Sequence, residues 1–243
     1  LTPKLSFRFN PSDMKDYSTS ENKINVNNVF ALNRLGLSDA VESGRSITLG
    51  LDFKKEKKED LDQINNYFEL KLATVLRDKE EKFVPNESSI NQKNSNLFGS
   101  ITGKFSENLD LSYNFALDND YNTFKYNDFN ATFSINNFVT EFNFIEENGG
   151  TGDSNILANS IAYSLDDKNY IKFATRRNRK LNLTEYYDLV YEYKNDCLTA
   201  GVKYKKSYYS DGDLLPTENL LFTITLFPIT SYEYRGNELF GVR

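Results

Sequence analysis

Apolar and polar residues alternate with a period of two along most of the chain. In the clearest segment, 109–117, every odd position is apolar, and Asp110, Ser112, Asn114 and Ala116 lie between. Such alternation predicts a β-strand whose two faces meet different environments. About twelve segments show it: 5–9, 47–53, 68–76, 97–105, 109–117, 129–133, 138–144, 156–165, 171–177, 187–193, 198–204 and 220–226. The sequence therefore predicts an all-β, antiparallel fold.

The lengths of the predicted strands favour a transmembrane β-barrel over the alternative, a soluble β-sandwich. The longest alternating segments, 68–76, 97–105, 109–117 and 156–165, run for 9 or 10 residues. A tilted strand needs about 9–11 residues to cross a bilayer, whereas strands of about 5–6 residues are usual in soluble sheets. The sequence also has no segment of helical period that would cover one face of a sheet.

Short and long connections alternate between the predicted strands. The short ones are 107–108, 135–137, 166–168 and 194–196, and the longer ones are 11–45, 78–95, 146–154 and 210–217. Bacterial outer-membrane barrels have short periplasmic turns and longer extracellular loops. The pattern predicts a barrel segment over 1–230 in the outer membrane of a Gram-negative cell. It directs the last strand, 220–226, towards the periplasm and leaves 231–243 as a tail with a periplasmic C-terminus.

The composition excludes several kinds of site. The chain has no His, one Cys and a net charge of −6. Without His there are no His-based metal sites or triads, and an acidic chain without a basic stripe is not expected to bind nucleic acid. No nucleophile, base and orienting group occur together, so we expect no enzymatic activity, catalytic residue, metal or cofactor. Three carboxylate pairs are expected in solvated turns or loops: Glu80 and Glu81, Glu146 and Glu147, Asp166 and Asp167.

The single cysteine, Cys197, directly follows the short connection 194–196. The alternation places it with Thr199, Gly201 and Lys203 on the polar face of its strand. A thiol at the periplasmic end of a barrel lies in an oxidising compartment. Cys197 is therefore either half of a disulfide to a segment outside this chain or an incidental strand residue.

Two stretches resemble a known family. Residues 25–53 contain an Asn-Arg block, a Gly, an acidic residue and a Glu ahead of a strand: Asn33, Arg34, Gly36, Asp39 and Glu42. Residues 178–226 contain a strand, a turn, a Cys, a second strand and an acidic-Leu-x-Pro loop before the closing strand. Both stretches resemble the LptD family of lipopolysaccharide-assembly proteins, and its alphaproteobacterial members most. The chain departs from the family pattern at Ala40, where an Arg is usual.

The resemblance implies that the chain is the C-terminal part of a barrel of roughly 26 strands. The implied function is lipopolysaccharide transport and its insertion into the outer leaflet through the lumen and a lateral gate. The implied partners are lipopolysaccharide, membrane lipid, an LptE-like plug lipoprotein and an LptA-like periplasmic bridge. Cys197 matches a family position that forms a disulfide with the N-terminal region. Many relatives have a second Cys beside it, whereas this chain has Asp196.

The family opens between its first and last strands, so the resemblance assigns the gate to the closing strand of this chain. The gate residues are Leu220, Leu221, Phe222, Thr223, Ile224, Thr225, Leu226 and Pro228. Proline cannot donate to a strand ladder and suits a weakly paired position, but it also simply terminates strands. Two other functions remain open: a porin-type channel for small solutes, with about twelve strands forming a complete small barrel, and a soluble β-module for binding or structure.

Overall fold

A computed structural model describes residues 1–60, 63–148, 153–208, 216–226 and 230–236. Residues 58–60, 63–65 and 230–236 are described by their backbone only. The strands are β1 Thr2–Asn10, β2 Gly44–Asp60, β3 Gln63–Arg77, β4 Leu97–Ser106, β5 Leu109–Leu117, β6 Phe124–Ile135, β7 Phe138–Glu147, β8 Ser154–Ser164, β9 Asn169–Asn178, β10 Leu183–Lys194, β11 Leu198–Ser207, β12 Thr217–Leu226 and β13 Thr230–Gly236. A short 3₁₀ turn spans Asn86–Ser88. In the described ranges, no helix is long and apolar enough to cross a membrane.

The strands are hydrogen-bonded in one sheet in the order in which they occur along the chain. Every pairing for which the register is known is antiparallel. The prediction of an all-β, antiparallel fold is confirmed, and the twelve predicted segments lie in strands except for Leu165, which follows β8. Strands of this sheet are long, since β2 has 17 residues and β3 has 15.

The chain divides into two compact units. The first unit comprises Leu1–Phe129 and Glu146–Asp153, and the second comprises Asn130–Ile145 and Ser154–Arg243. In the first unit, one face of the sheet is apolar and exposed. Phe7, Ile47 and Leu76 form a cross-strand row on it, with exposed fractions of 69%, 41% and 39%.

The opposite face of the first unit is polar on β1 and β2 and apolar on parts of β3, β4 and β5. It is covered by two long connections, 11–43 and 78–96. These connections and the inner positions of β3, β4 and β5 form the hydrophobic core. Its buried members are Met14, Ile24, Val29, Leu35, Leu37, Ala73, Val75, Val84, Ile90, Phe98 and Ala116. Because apolar side chains from the connections are removed from water here, the connections are folded layers on the sheet.

The second unit repeats the two-faced pattern. Its registers align Tyr163, Ile171, Tyr191, Val202 and Phe222 in one row across β8 to β12. Most of this row is exposed although it is apolar or aromatic. The other face carries polar partners, including an ion pair of 3.2 Å between the Lys203 ammonium and the Asp188 carboxylate.

The closing part of the chain differs from the prediction. The strand that contains 220–226 is not the last one, because Thr230–Gly236 forms β13 and pairs with β12 along its length. The supposed tail from 231 onward thus begins inside a strand. The last described residue of β13, Gly236, is paired with Leu220. The periplasmic location of the C-terminus stays a prediction, and 237–243 lie outside the described residues.

Candidate functional site

Arg34, in the connection 11–43, has a fully buried side chain. Its Nε donates to Glu42 Oε2 at 2.7 Å, and its Nη2 also binds this carboxylate. The same guanidinium donates to Thr48 Oγ1 at 2.9 Å and to Ser46 Oγ at 3.0 Å. A planar guanidinium matches a carboxylate with two parallel hydrogen bonds. The pair therefore closes the connection on itself and fastens it to the polar face of β2.

Two further arginines complete this cluster. Arg77, at the end of β3, forms an ion pair with Glu42 and donates from Nη1 to the Ser43 carbonyl at 2.9 Å. Arg8, on β1, donates to the Leu32 and Ala31 carbonyls at 2.5 and 2.7 Å. We call Arg8, Arg34, Arg77 and Glu42 the arginine cluster. Arg8, Ser46 and Arg77 form one cross-strand row, which explains how β1, β2 and β3 all reach the connection.

The other motif residues shape the same connection. The Asn33 side chain donates to the Leu37 carbonyl at 2.6 Å and accepts from the Leu37 N–H at 3.2 Å. Gly36 has a φ of +65°, a conformation that glycine adopts without steric cost. Together they form the turn that returns the chain from Arg34 towards Glu42.

Asp39 joins the two ends of the connection at the surface. It accepts hydrogen bonds from the Tyr17 hydroxyl and, at 3.3 Å, from the Lys15 ammonium. These contacts, that of Tyr17 first, lower the pKa of the Asp39 carboxyl below its ordinary value. The structure thus brings all five motif residues together in one folded connection, but only Arg34 and Glu42 are buried.

Sequence analysis missed the partners of this pair on the strands. Arg8 and Arg77 occupy polar positions of strands β1 and β3, and the alternation alone assigned them to the polar face without a role. The sequence signal that could have identified Arg8 and Arg77 is their position: both are charged residues on the polar face of a strand that adjoins a long connection. The ion pair of Arg77 with Glu42 joins residues 35 positions apart, and Arg8 donates to carbonyls 23 and 24 positions away. No local pattern in the sequence records such contacts.

A cavity of about 690 Å³ lies next to this core, in the first unit. Its walls come from the connections 11–43, 78–96 and 118–123 and from the neighbouring ends of β4 to β7. Glu147 lines it and forms an ion pair with Lys23. The expectation of a loop at Glu146 and Glu147 is wrong, because both residues end strand β7.

Comparisons with known proteins identify no family. No family model and no curated protein matches the chain. Similar solved structures are mutants of the Rh. blastica porin. One triple mutant has a TM-score of 0.44 at 13% identity and covers 84% of this chain and 88% of that chain. Another triple mutant has a TM-score of 0.41 at 14% identity, covering 79% and 83%.

A double mutant of the same porin has a TM-score of 0.43 at 13% identity and covers 83% of this chain and 88% of that one. A TM-score below 0.5 does not establish a shared fold. These porins therefore leave the choice between lipid export and a solute channel open.

The predicted sites of the second unit lie apart in the sequence from the arginine cluster. Cys197 is exposed, and its N–H donates to Asn195 Oδ1 at 3.0 Å just before β11. Its disulfide stays a prediction. The gate residues 220–226 lie in β12, which is paired with β11 on one side and β13 on the other, and Pro228 lies outside the described residues. No group of three or more His, Cys, Asp or Glu that could hold a metal occurs within the described ranges.

Proposed function

We propose that this chain is part of an outer-membrane β-barrel that exports lipopolysaccharide. The membrane location is supported by the apolar residues on the exposed face of both units, such as Phe7 in β1 and Phe222 in β12. Exposed apolar surface of this extent needs a non-aqueous environment or a partner. The polar opposite face suits a hydrated lumen, as in barrels whose strands alternate between lipid and lumen.

The observation that carries the lipid-export proposal is the arginine cluster. The residues by which the sequence resembles the LptD family are those that fold the connection 11–43 and fix it to the polar face through Arg34 and Glu42. The resemblance thus coincides with a specific structure. In this proposal the sugar and phosphate groups of lipopolysaccharide follow the polar face while the acyl chains remain in lipid. An LptE-like plug and an LptA-like bridge are the partners that the resemblance implies.

The lateral gate needs a new position in this proposal. Both sides of β12 are hydrogen-bonded to neighbouring strands, and such pairing closes an exit between those strands. We therefore assign the gate to the far side of β13, the final strand of the described sheet. The gate residues at 220–226 stay a prediction, which the pairing of β12 on both sides disfavours.

A porin-type channel is the second candidate. It is favoured by the paired charges on the polar face, such as Lys203 with Asp188, and by the largely polar lining of the cavity in the first unit. Polar interiors of this kind conduct small solutes in porins. A channel function, however, does not explain why residues Asn33 to Glu42 resemble the LptD family.

Depletion of the full-length parent protein in its host separates the two functions. If lipopolysaccharide export is correct, newly made lipopolysaccharide stops reaching the surface and accumulates inside the cell. If delivery continues and only the uptake of small solutes falls, the protein is a channel and the export proposal is wrong. A photo-crosslinker at Thr223 and another on β13 at Glu233 then map the exit. Capture of lipopolysaccharide at Glu233 and not at Thr223 is expected.

A further inference from the structure

We infer that the cavity of the first unit binds a neutral or amine-bearing saccharide. This inference goes beyond the proposed function, because it does not depend on whether the barrel exports lipid or conducts solutes. Its volume of about 690 Å³ lies within the range of about 300–1,000 Å³ for small-molecule sites. The chemistry of its wall selects the class of ligand.

Amide side chains dominate the cavity wall. Eight of its 23 lining residues are Asn or Gln. An amide has both donor and acceptor atoms, as a sugar hydroxyl does, so amides satisfy hydroxyl groups in either direction. Three aromatic residues also line the cavity: Phe98, Phe115 and Tyr126. Aromatic lining residues are common in small-molecule sites.

Several of the amides are held in place before any ligand binds. Asn119 donates to Gln92 Oε1 at 2.6 Å, and Asn91 donates to Asn86 Oδ1 at 2.8 Å. Each of these bonds uses either the oxygen or the nitrogen of a lining amide. The other polar atom of that amide can then bond to a ligand. Asn96 and Asn114 are half-buried and make no side-chain hydrogen bond within the described part of the chain. Half-buried amides without partners favour a ligand that supplies hydroxyl groups.

The charge of the cavity wall further limits the class of saccharide that can bind. Five carboxylates and two lysines line the cavity, and Lys23 is already paired with Glu147. Apart from that pair, four carboxylates and Lys125 line the cavity, so the net charge of its wall is negative. A phosphorylated sugar is therefore repelled, whereas a neutral sugar is tolerated and an amino sugar is attracted.

The position of the cavity identifies two sources of such a ligand. It is enclosed by the long connections, which face the exterior in a barrel with short periplasmic turns. The saccharide is either a free oligosaccharide outside the cell or the sugar part of a lipopolysaccharide at the surface. Both present the same hydroxyl chemistry to the amides.

The test is isothermal titration of the purified full chain in detergent micelles with three probes. Maltotriose is neutral, a glucosamine disaccharide bears amines, and glucose 1-phosphate is anionic. The first two are expected to bind saturably, with a Kd on the order of 1 mM or tighter, and the third at least about tenfold more weakly. Absence of saturable binding by folded protein, or preferential binding of glucose 1-phosphate, overturns the inference.

Three variants locate the binding. Asn114→Leu removes an unpartnered amide of the wall and is expected to weaken maltotriose binding at least about tenfold. Asn219→Leu is the matched control, since Asn219 is also a half-buried strand residue but does not line the cavity. Asp120→Asn, in an exposed connection, should leave maltotriose binding intact and weaken glucosamine binding. Equal binding by Asn114→Leu and the unchanged chain overturns the inference.

Competition distinguishes the two sources. Intact lipopolysaccharide with an unphosphorylated core that displaces maltotriose identifies the surface lipid as the ligand. Lack of displacement identifies free oligosaccharide. Because the titration does not involve transport, its failure leaves the export proposal standing, and failure of export leaves the saccharide site standing.

Discussion

Glu42 is the only carboxylate among the residues of the arginine cluster, and it binds two buried guanidinium groups. Arg34 approaches one of its oxygens at 2.7 Å, and Arg77 pairs with the other. Buried ion pairs are costly to form, but removing one partner is costlier because it leaves an uncompensated charge. The cluster thus anchors the connection 11–43 to the sheet, and its contribution to stability depends on the charge of Glu42.

Glu42→Gln should therefore destabilise the first unit by about 3–5 kcal/mol. The substitution keeps the shape of the side chain and removes its charge. The control is Asp78→Asn, because Asp78 pairs with Arg45 at 2.9 Å in an exposed position. That control should change stability by no more than about 1 kcal/mol. Urea unfolding of the refolded barrel measures both, and equal effects would show that the cluster is not an anchor.

The pKa of the Asp39 carboxyl can be tested by a single substitution at one of its partners. Its pKa is lowered first by the Tyr17 hydroxyl and then by Lys15. Because the folded pKa is depressed, this contact stabilises the fold above the ordinary pKa of Asp, about 4, and is lost as pH falls through the folded pKa. Tyr17→Phe should raise the pKa of Asp39 towards its ordinary value in an NMR titration. An unchanged pKa would remove Tyr17 as the cause.

At the scale of elements, the connection 11–43 depends on a small residue in strand β2. A Cβ built on Gly50 would lie 2.6 Å from Phe30 Cζ and 3.2 Å from the Leu72 carbonyl oxygen. Phe30 therefore packs on the sheet where no side chain intervenes. The close approach explains why the connection can lie flat on the polar face.

Gly50→Val should lift Phe30 and loosen the connection, at a cost of about 1–3 kcal/mol typical of overpacking. The expected result is faster cleavage within 11–43 by trypsin, which can cut after Lys15, Lys23 and Arg34. Removing the clash with Phe30→Ala in the Gly50→Val background should restore part of the protection. If Gly50→Val alone is cleaved as slowly as the unchanged chain, Phe30 does not hold the connection.

The pairing of β12 with β13 sets the position of the final strand. Thr225 is opposite Ser231 in the register, and opposed residues of antiparallel strands have Cα atoms about 4.5–5.5 Å apart. Such a separation suits a disulfide. Thr225→Cys with Ser231→Cys should oxidise to an intramolecular disulfide, visible as a gel shift without reductant. The pair Thr225→Cys with Glu233→Cys, two positions out of register, is the control, and its preferential oxidation would contradict the observed pairing.

At the scale of the whole molecule, the two faces of the strands differ in polarity, and each suits a different solvent. In β10, Leu189 is 47% exposed, whereas the adjacent Val190 is half-buried on the polar face. Alternation of this kind is present in both units. It is the physical basis for proposing that lipid covers one face and water the other.

Leu189→Arg should impair insertion of the full-length barrel into membranes, since arginine on the lipid face costs about 2–4 kcal/mol near the midplane. Val190→Arg, one residue away, should be tolerated much better because it faces the polar side. The fraction of folded, heat-modifiable protein in outer-membrane extracts measures both variants. Equal insertion of the two, or a stronger defect in Val190→Arg, would show that the exposed apolar face is not in lipid.

Much of the fold follows from local sequence. The period-two alternation identified twelve strands and the apolar face of each, because side-chain direction in a strand depends only on the parity of the position. The same parity was present in 231–235, where Tyr232 and Tyr234 alternate with Ser231, Glu233 and Arg235. This strand was missed because it is short, with seven residues, and contains few of the aliphatic residues that marked the others.

The sequence by itself determined the strands, their two faces and the motif residues Asn33 to Glu42. Only the tertiary structure decided that Glu42 meets Arg77, that Phe30 lies on Gly50, and that amides from three connections enclose one cavity. The physical reason is the range of the interactions. Strand periodicity is a property of adjacent residues, whereas these contacts join residues that are distant in the chain and become neighbours only when apolar side chains such as Val29 and Ile90 pack the connections onto the sheet.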